Sequence, residues 1–460
     1  MKTLVDPANA LVRGLSAIRT EFHVPQGFAP EILAAADAAA ARVPDAHADR
    51  TALPFVTLDP ASSTDLDQAF TIEAAGSDLL LHYAIADIGW FVRDGDPVDI
   101  EAWERGTTLY LPDGKAPLYP PVLSQGAASL LPDGPRPAII FTVRVAPDGG
   151  VRLDGAERAL IRSRAKLAYD SVTEAELPPG FAELSRRIAE AEAARGAARV
   201  DPPEQEVERL AEGGYTLRFR PRLQSEEQNS ALSLATNMAV ADAMIAHHTG
   251  LFRVMGRPSP KSVDRLRHEA GALGIDWPAD QPLESLERSL DPADARHAAF
   301  MLAIRRAGDG ASYMPWREDQ APWHSAVAAA YAHATAPLRR LADRYVVETV
   351  LAIANGRPVP DAAQAAFAKL PRVMARADAR SGQIERAVID LAEAVMLQGR
   401  EGERFEAVVT DVDPRGARIR LCGQPIVARI AATDVGPGDR LTLRLSEADP
   451  GRRTLTFDTA

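Results

Sequence analysis

FVTLDPASSTDLDQAF, residues Phe55 to Phe70, places three aspartates on one short loop between two strand-like runs. Asp59 closes the apolar alternation Phe55-Val56-Thr57-Leu58, and Asp65 and Asp67 flank Leu66 just before Ala69-Phe70-Thr71-Ile72. In an extended segment residues i and i+2 share a face, so Asp65 and Asp67 are expected to point together. The turn-forming residues 60–64 (PASST) would bring Asp59 back towards them. Neighbouring carboxylates repel and raise one another's pKa, which a cation relieves. Hard oxygen donors suit Mg²⁺ or Mn²⁺, the usual ions of phosphodiester cleavage. On this window alone two readings stand, a cation site and a solvated acidic turn.

Composition narrows the classes. At 460 residues the chain has room for two or three domains. Hydrophobic residues at 46% and charged residues at 25% describe an ordinary soluble protein. The single cysteine, Cys422, excludes an intramolecular disulfide framework and a cysteine-rich zinc site, and reads as a small buried residue of a C-terminal strand. Asp6 and Pro7 interrupt the N-terminus where a signal peptide needs an apolar core, and no apolar run approaches a membrane span. A cytoplasmic protein with no membrane association is expected. The net charge of −12 argues against a generic nucleic-acid binder. Only five of the 52 basic residues are lysines, however, and arginine's planar fork suits bidentate phosphate contacts in a channel beneath an acidic exterior.

Along the chain, residues 1–50 read as a short helical segment, with EILAAADAAAARV (31–43) its clearest helix. Residues 54–161 turn to short alternating runs, of which 79–86 and 138–145 are the best strands. From 184 to 400 helical periodicity dominates. Ser225-Glu226-Glu227-Gln228 reads as a capping box opening a helix that stops at Gly250, Ser259-Pro260 as a second helix start, and 373–399 as a long helix. After Glu401, short strands at 405–409, 418–421 and 440–445 suit a five-stranded OB-type barrel. The expected class is α+β with a small β module at its end.

YAHATAPLRRLADRY, residues 331–345, is the second informative stretch. Pro337 can start a helix whose positive end presents Arg339 and Arg340, a candidate phosphate clamp. A solvated helix face with Asp343 and Glu348 as partners is the alternative. Neither a phosphate-binding glycine loop nor a nucleophile elbow is present, and the nine histidines contain no zinc-protease pair.

Taken together, TLDPASSTDLDQAF, LHYAIADIGWFV, RGTTLYLPDG, GLFRVMGRPSP, YAHATAPLRR and IERAVIDLAEAV resemble successive signatures of the RNase II/RNase R family, in its order and spacing over about residues 54–400. The resemblance implies an RNB-type catalytic domain (51–400) of mixed β-sheet and helices, after a helical segment (1–50) and before an OB-fold RNA-binding module (401–460). It implies a 3′→5′ exoribonuclease that hydrolyses single-stranded RNA to nucleoside 5′-monophosphates with Mg²⁺, or Mn²⁺ in its place. The protein would act as a monomer on RNA 3′ ends, with no nucleotide cofactor.

Residue by residue, Asp59, Asp65 and Asp67 match three of the family's four acidic positions and would hold the metal, Asp67 being essential to cleavage. Gln68 stands at the fourth, a departure that weakens a metal site, with Asp87 a nearby substitute or a structural residue at a strand end. Tyr110 matches the aromatic that packs on the 3′-terminal nucleotides, or is a half-buried strand tyrosine when read alone. Arg339 matches the phosphate-clamping arginine, with Ala336 where serine is usual. Glu385 matches a glutamate near the RNA 3′ end, or is a helix-surface residue paired with Arg386 or Arg380. Family members carry two cold-shock domains ahead of the catalytic domain, for which some 50 residues are too few, so a short form is expected. The terminal module balances nine arginines with nine acids and places Arg418 where an aromatic is common. A catalytically inactive RNA-binding protein of the same fold is the alternative, with a phosphoesterase for small nucleotides as a third reading.

Overall fold

Strands form where the apolar alternation around the acidic loop foretells them. The computed structural model describes residue 4 and residues 9–459 apart from 198–203, 211–212, 221, 292–293, 309, 414 and 433. Two helices, α1 (Ala10–Glu21) and α2 (Pro30–Ala40), precede β1 (Ala48–Asp49), β2 (Phe55–Asp59), β3 (Gln68–Ala75) and β4 (Asp78–Ala86). Two short helices follow, α3 (Ile88–Phe91) and α4 (Pro97–Arg105), then a hairpin of β5 (Leu109–Leu111) and β6 (Gly114–Ala116). The long strands β7 (Arg136–Val145) and β8 (Val151–Ile161) and the shorter β9 (Ser163–Ala168) complete a seven-stranded sheet in the order β1-β8-β7-β4-β3-β2-β9. It is antiparallel except at its two edges, where β1 pairs parallel to β8 and β9 parallel to β2.

Phe70, Tyr83 and Phe141 lie in register across β3, β4 and β7 and are fully buried. Residues 137–141 of β7 are buried without alternation, as in a strand covered on both faces. Part of that cover comes from α6 (Gln224–Ala246), which follows α5 (Phe181–Ala194) and a hairpin of β10 (Glu204–Arg209) and β11 (Tyr215–Arg220), and crosses β4, β7 and β8. Strand β12 (Leu251–Met255) pairs with β13 (Ala311–Pro315) around α7 (Pro260–Ala272), α8 (Leu283–Glu287) and α9 (Ala295–Ala307). Helices α10 (Leu341–Ala354), α11 (Asp361–Phe367) and α12 (Leu370–Leu397) lead to the C-terminal barrel of β14 (Arg404–Asp413), β15 (Gly416–Leu421), β16 (Val427–Ile430), β17 (Arg440–Asp449) and β18 (Thr454–Thr459). Its strand order is β16-β15-β14-β17-β18. No helix among the described residues is long and apolar enough to cross a membrane.

Helices dominate from 184 to 400 as expected, with the β10–β11 and β12–β13 pairs set between them. Several local expectations shift. The first cap of α6 falls at Leu223, whose N–H donates to Glu226 Oε2 at 2.9 Å, and not at Ser225, whose hydroxyl bonds the Tyr169 carbonyl. Ser259 does cap α7, accepting from the Ser262 N–H, with Pro260 at the first helical position. Cys422 is exposed in the turn after β15 and is not buried in a strand. Pro337 begins a turn, and α10 starts only at Leu341. The reason is that the backbone of 336–339 is bonded elsewhere. Ala336 N–H donates to Asp343, Leu338 N–H to Asp67, and the Arg339 carbonyl accepts from Thr107 and Thr108.

Helix α12 positions the site from below. Its stripe Ile384, Val388, Leu391 and Val395, at i+4, i+3 and i+4 spacing, meets Leu11, Leu15 and Ile18 of α1 and also Leu109, Leu111 and Ala116 of the β5–β6 hairpin. The two helices come close because position 14 is glycine; a Cβ there would lie 2.5 Å from the Leu391 side chain. With Leu109 and Leu111 buried in this cluster, strand alternation turns Tyr110 outward, 55% exposed. Leu391→Ala should leave a cavity beneath the hairpin and cost about 2–5 kcal/mol, read as a lowered thermal midpoint in a denaturation scan.

Candidate active site

The acidic loop is held at both ends. Asp59 ends β2, and its carbonyl accepts from Tyr169 N–H at 3.2 Å. Ser63 N–H closes a turn onto Pro60. Ser129 Oγ then bridges the loop, donating to the Thr64 carbonyl at 2.8 Å and accepting from Leu66 N–H at 2.9 Å, while Leu130 N–H bonds the Leu66 carbonyl. Asp67's carbonyl accepts from Ala86 N–H, which begins the β3–β4 pairing. Asp65 and Asp67 therefore lie on a pinned loop and not on an extended strand, and they take different partners.

Asp65 turns to the hairpin. Lys115 Nζ lies 2.5 Å from its Oδ1, and Tyr110 Oη donates to its Oδ2 at 3.4 Å. Tyr110 and Lys115 are opposite one another in the β5–β6 register. Asp67 turns inward, 4% exposed, accepting from Leu338 N–H at 2.7 Å and from Arg339 Nε at 3.0 Å. Burial pushes Asp67 up to about 6, with Arg339 opposing the rise. Asp59 is pushed up to about 7 by burial first and then by the charges of Asp67 and Asp65, against Arg339 and Lys166. The three carboxylates thus share one electrostatic site, which excludes the solvated acidic turn.

The other named residues separate. Arg339 keeps 42% of its side chain exposed beside Asp67. Arg340 is turned to Asp343, 2.7 Å away, so the two arginines face different partners. Gln68 sits where its carbonyl oxygen accepts from both Tyr83 Oη and Ser233 Oγ, leaving only its amide N–H groups to offer outward. Asp87 is structural: it caps α3 and is held by His47 at 2.9 Å and Arg158 at 2.8 Å. Glu385 lines another cavity, of about 370 Å³, between α12, α9, β11 and the barrel, together with Arg386, Arg418 and Arg420. None of Asp59, Asp65, Asp67, Tyr110 or Arg339 forms its wall. Arg420 lies 4.4 Å over the Phe219 ring, and Arg418's pKa is lowered by burial and by the neighbouring Arg306, Arg429 and Arg386.

Lys115 escaped the sequence reading. Its signal was rarity, a lysine in a chain that otherwise uses arginine, five residues after the singled-out tyrosine. The donor set has the chemistry for a hard cation, but its arrangement does not fit one. Among the described residues no three His, Cys, Asp or Glu side chains are placed to hold a metal. Asp65 is occupied by Lys115, and Asp67 by Leu338 and Arg339.

Residues 48–355 match the RNB domain family, and residues 403–460 match the RNase II-type exonuclease C-terminal S1 domain. The chain belongs to the RNB family. Ribonuclease R of Escherichia coli (strain K12) is 26% identical over 469 residues, covering 88% of this chain and 56% of that protein. The chain thus spans little more than half the length of that curated relative. Mycoplasma genitalium RNase R in complex with ribose methylated single-stranded RNA has a TM-score of 0.86 at 20% identity, over 100% of this chain and 79% of that one. Yeast Ssd1, a pseudonuclease, has a TM-score of 0.70 at 16% identity, over 96% and 57%. At these identities the structural likeness is one of fold, the expected α+β RNB architecture with its OB-like terminal barrel.

The raised carboxyls make stability depend on pH. Folding favours a carboxyl with a raised pKa while it is protonated, so its contribution is full below about pH 4 and is lost as pH climbs through 6 to 7. In EDTA, Asp59→Asn should stabilise the fold at pH 8 by on the order of 1–2 kcal/mol, read as a raised thermal midpoint, and should flatten the rise expected of the wild type between pH 8 and 5. Equal midpoints for the two proteins across that range would contradict the assignment.

Proposed function

We propose that the protein is a 3′→5′ exoribonuclease that hydrolyses single-stranded RNA to nucleoside 5′-monophosphates, acting in the cytoplasm as a monomer. The observation that carries this reading is the convergence of Asp59, Asp65, Asp67, Arg339 and Tyr110 on one face of an RNB fold. A divalent cation, Mg²⁺ or Mn²⁺, is the proposed cofactor; the three aspartates would hold it only with Asp65 released from Lys115, and when bound it would supply Lewis-acid stabilisation of phosphate charge.

The chain's own groups do the rest. Arg339 keeps 42% of its side chain exposed and its Nε is fixed by Asp67, so it can stabilise negative charge building on the phosphate with little reorganisation. Asp59, Asp65 and Asp67 would together position the attacking water. The exposed ring of Tyr110 can stack on any base, which suits an enzyme without sequence preference. Arg340 and Glu385 are proposed as further RNA contacts, with Glu385 in the arginine-lined cavity beside the barrel. Gln68 favours a second reading, an RNA-binding protein of the same fold without cleavage, because both lone pairs of its oxygen are taken by Tyr83 and Ser233.

A gel of 5′-labelled single-stranded RNA separates the two readings. The wild type with Mg²⁺ or Mn²⁺ should shorten the RNA stepwise from its 3′ end; EDTA and Asp67→Asn should each abolish this. Arg339→Ala should slow the shortening by about 10²–10³-fold. Tight RNA binding without shortening under either metal would leave only the binding protein.

A further inference from the structure

Among the described residues, the Gln68 side chain is bonded through its oxygen alone. Oε1 accepts from Tyr83 Oη and, at 3.4 Å, from Ser233 Oγ. Ser233 Oγ also lies 3.2 Å from Tyr83 Oη and 3.1 Å from Thr335 Oγ1, and Asn237 Nδ2 donates to Thr335 Oγ1 at 3.4 Å. Asn237 cannot turn its amide around, because its Oδ1 is committed to the Ala334 N–H at 2.9 Å. The far end of this chain is therefore a donor. Three hydroxyl protons, on Thr335, Ser233 and Tyr83, then meet only two hydroxyl–hydroxyl contacts. Within the chain the third proton is left for Gln68, which must receive it on oxygen. Tyr83, Thr335 and Asn237 are buried, which shields the chain from water, whereas Gln68 itself is half-buried. Its two amide N–H bonds emerge beside Asp59 and Arg339, whose charges act on the Tyr83 hydroxyl that holds the same carboxamide.

We propose that Gln68 is a substrate-contacting residue that donates from Nε2 to a phosphate oxygen of the 3′-terminal linkage of RNA, with Tyr83 and Ser233 as the positioning residues that hold its oxygen inward. This rests on reading the site as one for an RNA 3′ end, and it stands for the nuclease and for the binding protein alike. Position 68 thus offers a donor where a carboxylate could only accept. A neutral donor next to Asp67 attracts a phosphate that one more negative charge would repel, and Arg339 supplies the positive charge alongside. Because the hydroxyl chain fixes the carboxamide beforehand, little rotamer freedom is lost when the phosphate arrives.

The test is binding of single-stranded RNA labelled at its 5′ end with fluorescein, read as anisotropy in EDTA so that no strand is cut. Gln68→Ala should weaken binding about tenfold, the effect of losing one hydrogen bond to a charged group. Gln68→Glu keeps an oxygen for Tyr83 and Ser233 but sets an acceptor where the donor was, so it should weaken binding more than Gln68→Ala. The deciding arm uses RNA whose 3′-terminal linkage is a methylphosphonate, uncharged and short of one acceptor oxygen. Wild type and Gln68→Ala should bind that RNA equally well. With the methylphosphonate moved to a linkage remote from the 3′ end, the full difference between them should return. Tyr83→Phe should show a smaller loss that depends on the same linkage. A loss in Gln68→Ala that persists on the 3′-terminal methylphosphonate would overturn the proposal in favour of a purely structural glutamine. So would Gln68→Glu binding as tightly as wild type, or a wild type that binds no RNA. Failure of the nuclease reading would appear separately, as intact RNA in the gel assay beside the same pattern of binding here.

Discussion

A buried carboxylate costs several kcal/mol unless it is paired and hydrogen-bonded, and Asp67 meets that requirement only by gathering distant parts of the chain. Its oxygens take the Leu338 N–H and the Arg339 guanidinium, some 270 residues away in sequence. The Arg339 carbonyl in turn accepts from Thr107 and Thr108, just ahead of the hairpin that bears Tyr110 and Lys115. The acidic loop, the arginine turn and the hairpin thus meet through one carboxylate and the backbone on either side of its partner. That same demand helps keep residues 336–339 out of α10, because the Leu338 N–H and the Arg339 carbonyl are spent across the site while the Ala336 carbonyl closes a local turn.

The electrostatics of the cluster run against stability. Asp59 and Asp67 are pushed up to about 7 and 6, and the charges that relieve them belong to Arg339, Lys166 and, at Asp65, Lys115. Sites built to bind or transform charged substrates commonly carry such strain, and the surrounding fold must hold it. Here the load falls on the Ser129 bridge, on the β3–β4 pairing and on the α1–α12 core beneath the hairpin. Arginine gathers again at the barrel, where Arg306, Arg429 and Arg386 act on Arg418 and the cavity wall sets Arg386, Arg418 and Arg420 beside Glu385, Asp390 and Glu393.

Much of this was legible in the residues. The strands at 79–86 and 138–145, the long helix near 373–399, the C-terminal β module and the RNB resemblance all rest on periodicities and motifs a few residues long, which local physics reads directly. The same holds for Asp59, Asp65, Asp67, Tyr110 and Arg339 as candidates, since each stands in a short signature. The misreadings share one cause. Pro337 looked like a helix start, Ser225 like a cap, Asp65 and Asp67 like a parallel pair, and Cys422 like a core residue, because local propensity was taken without its long-range competitors.

Sequence by itself determined which residue types are available and the order in which the elements form. Tertiary structure alone decided the distant partners: Lys115 on Asp65, Arg339 on Asp67, and Glu385 beside the barrel, whereas Arg340 on Asp343 is a local pair that the sequence already offered. The physical reason is that a charge chooses its partner by distance and desolvation, and both are set by where elements far apart in the chain come to rest.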